Sequence, residues 1–346
     1  MNDSLSVAIP CRASEPGLLA TLESLRESCL HSQLPTGFIS ELLICINGIR
    51  PGEACTPLDA VREFCQRHGI PIEEIWLDDQ GARKELKYRR IGESGTKNGG
   101  EVASSPRLRF SVSFPRCTVL LTERQGKPPA WNALWQRARG NMVLFSDADV
   151  RLEHEAVYAL YTRMQQEPSL NLVAAREVPF LADGGTLWAR MGAIPYRFNF
   201  GNAGGRLLLL RKTVLPHGIP DDLLLEDAWL TVAVGRSHVA KELNAQVFFV
   251  PPVTWRDYFA ERVRTEGGKL QIVREHGQLL AAGPIAQYQW SQFWRDLAVS
   301  EYPLVLLSLA IRGVARLWAR LAVTRKDFYS LYHPFTSTKE WLKQRQ

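Results

Sequence analysis

The chain has 346 residues, 45% of them hydrophobic and 23% charged, with a formal net charge of +6. That supply of apolar side chains is enough for a sizeable core and excludes a globally disordered chain. The mild positive charge predicts attraction to anions in general: a phosphorylated ligand, an anionic membrane face or nucleic acid. The six cysteines (Cys11, Cys29, Cys45, Cys55, Cys65 and Cys117) all fall in the first third, and none forms a CxxC pair. This leaves no support for a zinc ribbon or a thioredoxin-like site and reads as small apolar residues in a reduced, cytoplasmic protein. The opening "MNDSLSVAIP" has no basic region followed by an apolar core, so no signal peptide is expected.

From residue 6 to about 250, β-rich runs alternate with helix-like stretches. The expected strands are "SVAIP", "LLICING", "IEEIWLD", "CTVLLTE", "MVLFSDAD", "LNLVAAREV", "GRLLLLR" and "AQVFFVP". Amphipathic segments at 16–30, 57–68, 129–139 and 153–166 read as helices. This alternation predicts an α/β fold, a mostly parallel sheet covered by helices, with ligands at the carboxyl ends of the strands. Residues 81–116 interrupt it. They are rich in Gly, Ser and basic residues without a clear period, and read as a solvated loop or, alternatively, a basic flap near phosphates or a membrane.

After Pro251 the pattern becomes helical, so the expected division is 1–250 for a binding and catalytic domain and 251–346 for a helical extension. The apolar stretch 303–323 has the length of a membrane span, but Arg312, Arg316 and Arg320 recur every fourth residue. Each arginine at the centre of a span costs about 2.5–3.5 kcal/mol, which disfavours crossing. Two placements remain: an interfacial helix with arginines toward anionic headgroups and leucines toward acyl chains, or a helix packed on the protein with a basic outer edge.

The run "NMVLFSDADV" (141–150) brings Asp147 and Asp149 to the end of an apolar strand. A buried strand has no use for two carboxylates there. They fit helix capping, a divalent cation held with the help of substrate phosphates, an acid/base pair or a two-metal site. Upstream, "SVAIPCRASEPG" ends the first strand with Pro10 and Arg12, and "ICINGIRPGE" ends the second with Asn47 and Gly48. "RQGKPPAWNALW" sets Gly126, Lys127 and Asn132 before the Asp147–Asp149 strand, and "PDDLLLEDAWL" sets Glu226 and Asp227 at a later helix start. Asp221 and Asp222 stand close by in reserve.

These pieces, in this order over roughly residues 5–275, resemble the family 2 glycosyltransferases of GT-A fold. The resemblance implies an inverting transfer of a sugar from a nucleotide-sugar, with a divalent metal, Mn2+ or Mg2+. By it, Asp149 ligates the metal and Asp147 contacts the ribose or a metal-bound water. Pro10, Arg12, Asn47, Lys127 and Asn132 belong to the nucleotide-binding set. Asp227 is the expected base for the acceptor hydroxyl, with Glu226 helping to place the acceptor. The Gly-rich turn with Asn202, Gly204 and Gly205 lies where such enzymes bind the acceptor. Arg262 and Arg264 are expected at the diphosphate or an anionic acceptor, or else on a solvated helix face.

Two departures bear on substrate. Asn47 stands where an aspartate is usual, which puts the choice of nucleotide in question. "ERVRTEGG" has Glu261, Arg264 and Thr265 where processive synthases have a Gln, Arg and Trp motif, which favours transfer of a single sugar. The acceptor is expected to be a sugar, lipid or lipid-linked molecule, and no nucleic-acid partner is expected. The alternatives are a nucleotidyltransferase, although no basic Gly-rich loop follows the first strand, and a catalytically silent membrane-associated scaffold.

Overall fold

The computed structural model describes residues 3–78, 114–198, 203–280 and 290–323. Most of the basic loop anticipated at 81–116, and Asn202, lie outside the described residues. In chain order the elements are β1 (Leu5–Arg12), α1 (Leu18–Cys29), β2 (Ile39–Asn47), α2 (Thr56–His68), β3 (Ile72–Trp76) and β4 (Cys117–Thr122). Then come α3 (Lys127–Arg137), β5 (Met142–Ser146), β6 (Arg151–Leu152), α4 (Ala156–Gln166), β7 (Leu172–Pro179) and α5 (Leu187–Ala193). The chain continues through β8 (Leu207–Arg211), α6 (Glu226–Ala233), β9 (Val239–Phe249), α7 (Trp255–Leu280), α8 (Trp290–Asp296) and α9 (Tyr302–Val323).

Among the described residues the strands form one sheet in the order β3-β4-β2-β1-β5-β8-β7-β9-β6. The block from β3 to β5 is wholly parallel, as the alternation with helices predicts. β8 runs antiparallel to both neighbours, β5 and β7, which the sequence did not distinguish: an unbroken "LLLL" reads the same in either direction. The sheet is therefore mostly parallel with reversals at β8 and at the β6 edge.

Side chains alternate across it. Leu5, Val7 and Ile9 of β1 enter a core with α1, α2 and α4, while Ala8 enters the opposite core with Trp131 and Leu134 of α3 and Leu230 of α6. The six cysteines are all buried thiols, in keeping with their use as apolar residues.

β1 lies between β2 and β5, and the chain leaves it in one direction and returns on the other side, which makes the carboxyl end of β1 the switch point of the sheet. Pairing of β1 with β5 stops at Ala8↔Phe145, whereas pairing with β2 runs on to Arg12↔Asn47. The strands part there, and Pro10 stands beyond the last β5 bond.

The C-terminal helices clamp this frame. α7 carries the fully buried Tyr258, whose hydroxyl meets Ser308 Oγ of α9 at 2.7 Å. Glu266 of α7, 3% exposed, is met by Arg316 of α9 at 2.9 Å and by Arg312 at 3.9 Å. The arginine stripe expected to face headgroups, or to form a basic outer edge, thus turns toward α7 over two of its three positions. A carboxylate this deep requires cationic partners, and α9 supplies them together with Lys269 of α7, 3.0 Å away. The outer face of α9 is instead apolar: Leu306, Val314, Leu317, Trp318 and Leu321 are all exposed. No helix among the described residues is long and apolar enough to cross a membrane.

Candidate active site

A cleft of about 190 Å³ opens at the parted strand ends. Pro10 and Arg12 from β1, Asn47 from β2, and Asp147 and Asp149 after β5 line one side. Lys127, Gly205, Glu226, Asp227 and Arg264 line the rest. Residues spread over two and a half hundred positions of sequence therefore meet in one cavity.

Local chemistry explains how each is held. Asn47, 6% exposed, donates its amide to the Cys11 carbonyl at 2.8 Å and so ties the end of β2 to β1. The turn carrying Asp147 and Asp149 rests on α1: the Thr21 hydroxyl lies 2.9 Å from the Ala148 carbonyl and 2.7 Å from that of Val150. Thr21 also accepts the Val150 N–H at 3.2 Å. The Asp147 N–H donates to the Arg206 carbonyl at 2.9 Å. Asp147 is half-buried and Asp149 exposed.

α3 brings Lys127 to this turn. Trp131 stacks on Phe145 of β5 with ring centroids 4.2 Å apart, and Trp135 donates its indole N–H to the Leu215 carbonyl at 2.8 Å. Gly126 begins the helix at φ 118°, a conformation other residues adopt only with strain, before prolines that fit a first turn. Opposite, Glu226 and Asp227 open α6. The loop before them is held by Gln271 of α7, which accepts the Leu224 N–H at 3.0 Å and donates to the Asp222 carbonyl at 2.9 Å.

The charges interlock. Lys127 Nζ stands 2.7 Å from Asp147 Oδ1 and also pairs with Glu226 Oε1, so one ammonium links the two acidic motifs. Burial disfavours the charge on Lys127, but the two carboxylates outweigh it and raise its affinity for the proton. Burial likewise works against charge on Glu226, and Lys127 overcomes it, holding that carboxyl below its ordinary range. Asp147 moves the other way: burial and the neighbouring Asp149 push it up against the pull of Lys127 and Arg206. At Asp227 the pull of Lys127 is outweighed. Burial first, then Glu226 and Glu177, raise it to about 6, while its Oδ1 accepts the Ala228 N–H at 2.8 Å.

The glycine turn runs beside the cleft, and Gly205 lines it. A Cβ on Gly204 would lie 2.4 Å from the Glu177 carboxyl carbon, and one on Gly205 would lie 3.1 Å from Asp227 Cβ. These glycines let backbone pass against Asp227, which lines the cleft, and against Glu177, which lines a neighbouring groove.

The cleft also contains residues the sequence did not single out. Arg206 pairs with Glu177 at 3.0 Å, and its guanidinium carbon lies 3.6 Å from the centroid of the Phe249 ring. Glu15 and Glu261 complete the lining. The basic residue closing "NAGGR" was the only signal for Arg206.

Three expectations change. Asn132, expected at the nucleotide, does not line the cleft. Its amide donates to Ile219 O and Asp221 Oδ1 at 2.6 and 2.7 Å, and its oxygen accepts the Ile219 N–H, because the backbone of the 218–221 loop needs those partners. Arg262 also lies outside the lining. It is 8% exposed, paired with Glu261 at 2.8 Å and stacked 5.0 Å from the Tyr258 ring centroid, so neither the diphosphate nor a solvated helix face describes it. Asp221 is engaged by Arg124 at 2.8 Å. Arg264, by contrast, reaches the cleft, where its charge favours ionised Glu226 and Glu261.

Comparison with known proteins agrees with this frame. Residues 104–219 match the family model for glycosyl transferase family 2, a segment that runs through Lys127, Asp147, Asp149 and Arg206 but stops short of Glu226 and Asp227. No curated protein matches the sequence. Among solved structures, the chain is similar to the mannosyltransferase PcManGT from Pyrobaculum calidifontis in complex with GDP-Man and Mn2+. That likeness has 15% identity and a TM-score of 0.53, covering 99% of this chain and 85% of that one. S. aureus TarS 1–349 in complex with UDP-GlcNAc aligns at 13% identity and a TM-score of 0.47, covering 99% and 92%. Identities this low speak to fold alone. Residues 104–219 are thus similar to the family 2 glycosyltransferases, and the α/β frame around them is of GT-A type.

Proposed function

We propose that the chain is a metal-dependent, inverting glycosyltransferase that moves one sugar from a nucleotide-sugar to an acceptor hydroxyl. The observation that carries this reading is the meeting of Asp147 and Asp149 with Glu226 and Asp227 across one cleft, with Lys127 between them. Two carboxylates, one of them exposed, suit a hard cation such as Mn2+ or Mg2+ that takes its remaining ligands from phosphates and water. Among the described residues no third protein ligand joins them. When bound by Asp149 and Asp147, that cation neutralises charge building on the departing diphosphate.

The chain's own residues do the rest. Arg12 and Asn47 line the base and ribose end, and Lys127 and Arg264 are the cations nearest the phosphates. The acceptor oxygen bonds to the anomeric carbon as the bond to the diphosphate breaks on the opposite face. The hydroxyl proton passes to Asp227, whose raised pKa of about 6 makes it a better proton acceptor than an ordinary carboxylate while leaving it ionised at neutral pH. Glu226, fixed by Lys127, orients the acceptor beside it.

In this reading residues 1–250 form the catalytic domain and 251–346 an extension that lends Arg264 to the cleft. The exposed leucines of α9 rest in the interface of a cytoplasmic membrane face, with Arg320 near the headgroups. The acceptor is then lipidic or lipid-linked.

A panel of nucleotide-sugars, scored by thermal shift with and without Mn2+, tests the donor reading. At least one donor is expected to raise the melting temperature only with metal, and Asp149→Ala should abolish the increment while leaving the unliganded transition in place. An unaltered increment in that variant sinks the metal assignment.

A further inference from the structure

The carboxylates that line the cleft are not alike. Glu15 accepts the Gly17 N–H at 3.0 Å, Asp147 and Glu226 share Lys127, and Asp227 accepts the Ala228 N–H. Asp149 is exposed to water. Glu261 of α7 differs from all of them. It lines the cleft at 9% exposure, and its Oε1 accepts from Arg262 at 2.8 Å. Its Oε2 is buried and accepts no hydrogen bond, which holds for no other carboxylate among the described residues. Arg262 Nε is unpartnered as well, but Arg262 does not line the cleft.

The lone oxygen carries charge. Burial works against ionisation of Glu261, but Arg262, Arg206 and Arg264 outweigh it and hold its carboxyl below its ordinary range. Their positive field is no substitute for a hydrogen at the oxygen itself, and a buried anionic acceptor is costly to leave without one. A donor that enters the cleft with a ligand and leaves with product completes the set only while the site is filled. The torsion at the end of a Glu side chain is broad, so the carboxylate turns easily toward such a group.

The neighbours of Glu261 locate that group. Arg206 also acts on Asp147, and Arg264 also acts on Glu226. Glu261 is therefore flanked by one cation that reaches the proposed metal turn and one that reaches the acidic pair of α6. In the glycosyltransferase reading the transferred sugar lies between these two, joined to the diphosphate and facing Asp227. A sugar hydroxyl is a neutral O–H donor, which is what an ionised oxygen lacks, whereas a phosphate oxygen only accepts.

We infer that Glu261 is a specificity-determining residue whose Oε2 accepts a hydroxyl of the transferred sugar, so that the donor carries a neutral sugar with that hydroxyl free. The inference rests on the glycosyltransferase reading. Titration calorimetry of the full chain in Mn2+ compares UDP with UDP-glucose and UDP-N-acetylglucosamine, and GDP with GDP-mannose. The Kd of each nucleotide-sugar divided by that of its nucleoside diphosphate isolates what the sugar contributes. In Glu261→Ala this ratio is expected to rise about tenfold for at least one pair, the weight of a hydrogen bond to a charged group, without weaker binding of the nucleoside diphosphate.

Glu261→Gln keeps an acceptor but loses the charge, so its ratio should fall between those of wild type and Glu261→Ala. It also keeps the shape of the side chain and decides the matter if the alanine variant does not fold. A wild-type ratio in Glu261→Gln and in any folded Glu261→Ala overturns the inference. So does equal weakening of nucleotide and nucleotide-sugar, which would make Glu261 a support for Arg264 instead. A wild-type chain that binds none of these ligands sinks the glycosyltransferase reading together with this one, whereas binding with an unchanged ratio sinks this one alone.

Discussion

The strand-end cleft and the α7–α9 pair both place arginine or lysine in partly apolar surroundings, and they resolve the charge differently. In the cleft, Lys127 and Arg206 each meet carboxylates delivered by other elements, and acidic capacity remains in Asp149 and Asp227. On α9, Arg312 and Arg316 converge on the single buried Glu266, which leaves the outer leucines exposed. One region keeps charge in reserve for a ligand, whereas the other uses its charge to dock a helix. Reserve charge is the better marker of chemistry, because a structural site has every reason to neutralise itself.

The largest expected effect lies in the cleft. Asp227→Asn should lower turnover by about 10²–10⁴-fold with little change in donor binding, the loss typical of a missing general base. In the wild type, kcat/KM should fall as pH drops through about 6, because Asp227 must be ionised to accept a proton. Stability gives an independent reading. The folded value of about 6 exceeds the ordinary 3.8, so the folded state holds this proton more tightly and loses that advantage as pH rises through the interval. Asp227→Asn should therefore raise the melting temperature above pH 6 and match wild type below about pH 4. A variant with near-normal turnover moves the base elsewhere.

Next comes the cation between the two acidic motifs. Lys127→Met removes the one ammonium that pairs directly with both Asp147 and Glu226. Partial exposure of these side chains brings the expected destabilisation down to about 2 kcal/mol from the 3–5 typical of a fully buried pair. Urea denaturation measures it, and an unchanged midpoint would show that the three groups are solvated independently.

The smallest effects belong to α9. Arg316→Ala, which removes a half-exposed partner of Glu266, should cost under about 1 kcal/mol in the same assay. Leu317→Glu should leave stability alone yet reduce flotation with anionic vesicles. If Arg316→Ala abolishes flotation while Leu317→Glu does not, arginines rather than leucines make the membrane contact, and the contrast between the regions collapses.

The two regions also differ in how much could be read before folding. The parallel block and its helices follow from apolar runs of strand length separated by amphipathic segments. The placement of Asp147 and Asp149 follows from one rule about strand ends. That they share a site with Lys127 and Glu226 is what the resemblance to family 2 glycosyltransferases implies; residue types at strand and helix ends do not by themselves join the motifs. What failed was direction. Asn132 and Arg262 have the right residue types at the right spacing, yet the first bonds the 218–221 loop and the second is buried against Tyr258. The stripe of Arg312, Arg316 and Arg320 fixes one face of a helix, but periodicity carries no sign telling inside from outside when an acid waits on another helix.

Periodicity and turn chemistry are local, so the sequence by itself determined the α/β alternation, the strand ends and the acidic motifs placed at them. Arg206 against Phe249, Glu177 behind Gly204 and the charge of Arg206 acting on Glu261 depend on pairings between positions tens of residues apart. Only the tertiary structure decided those, because the energy of a buried charge is set by which distant groups arrive beside it.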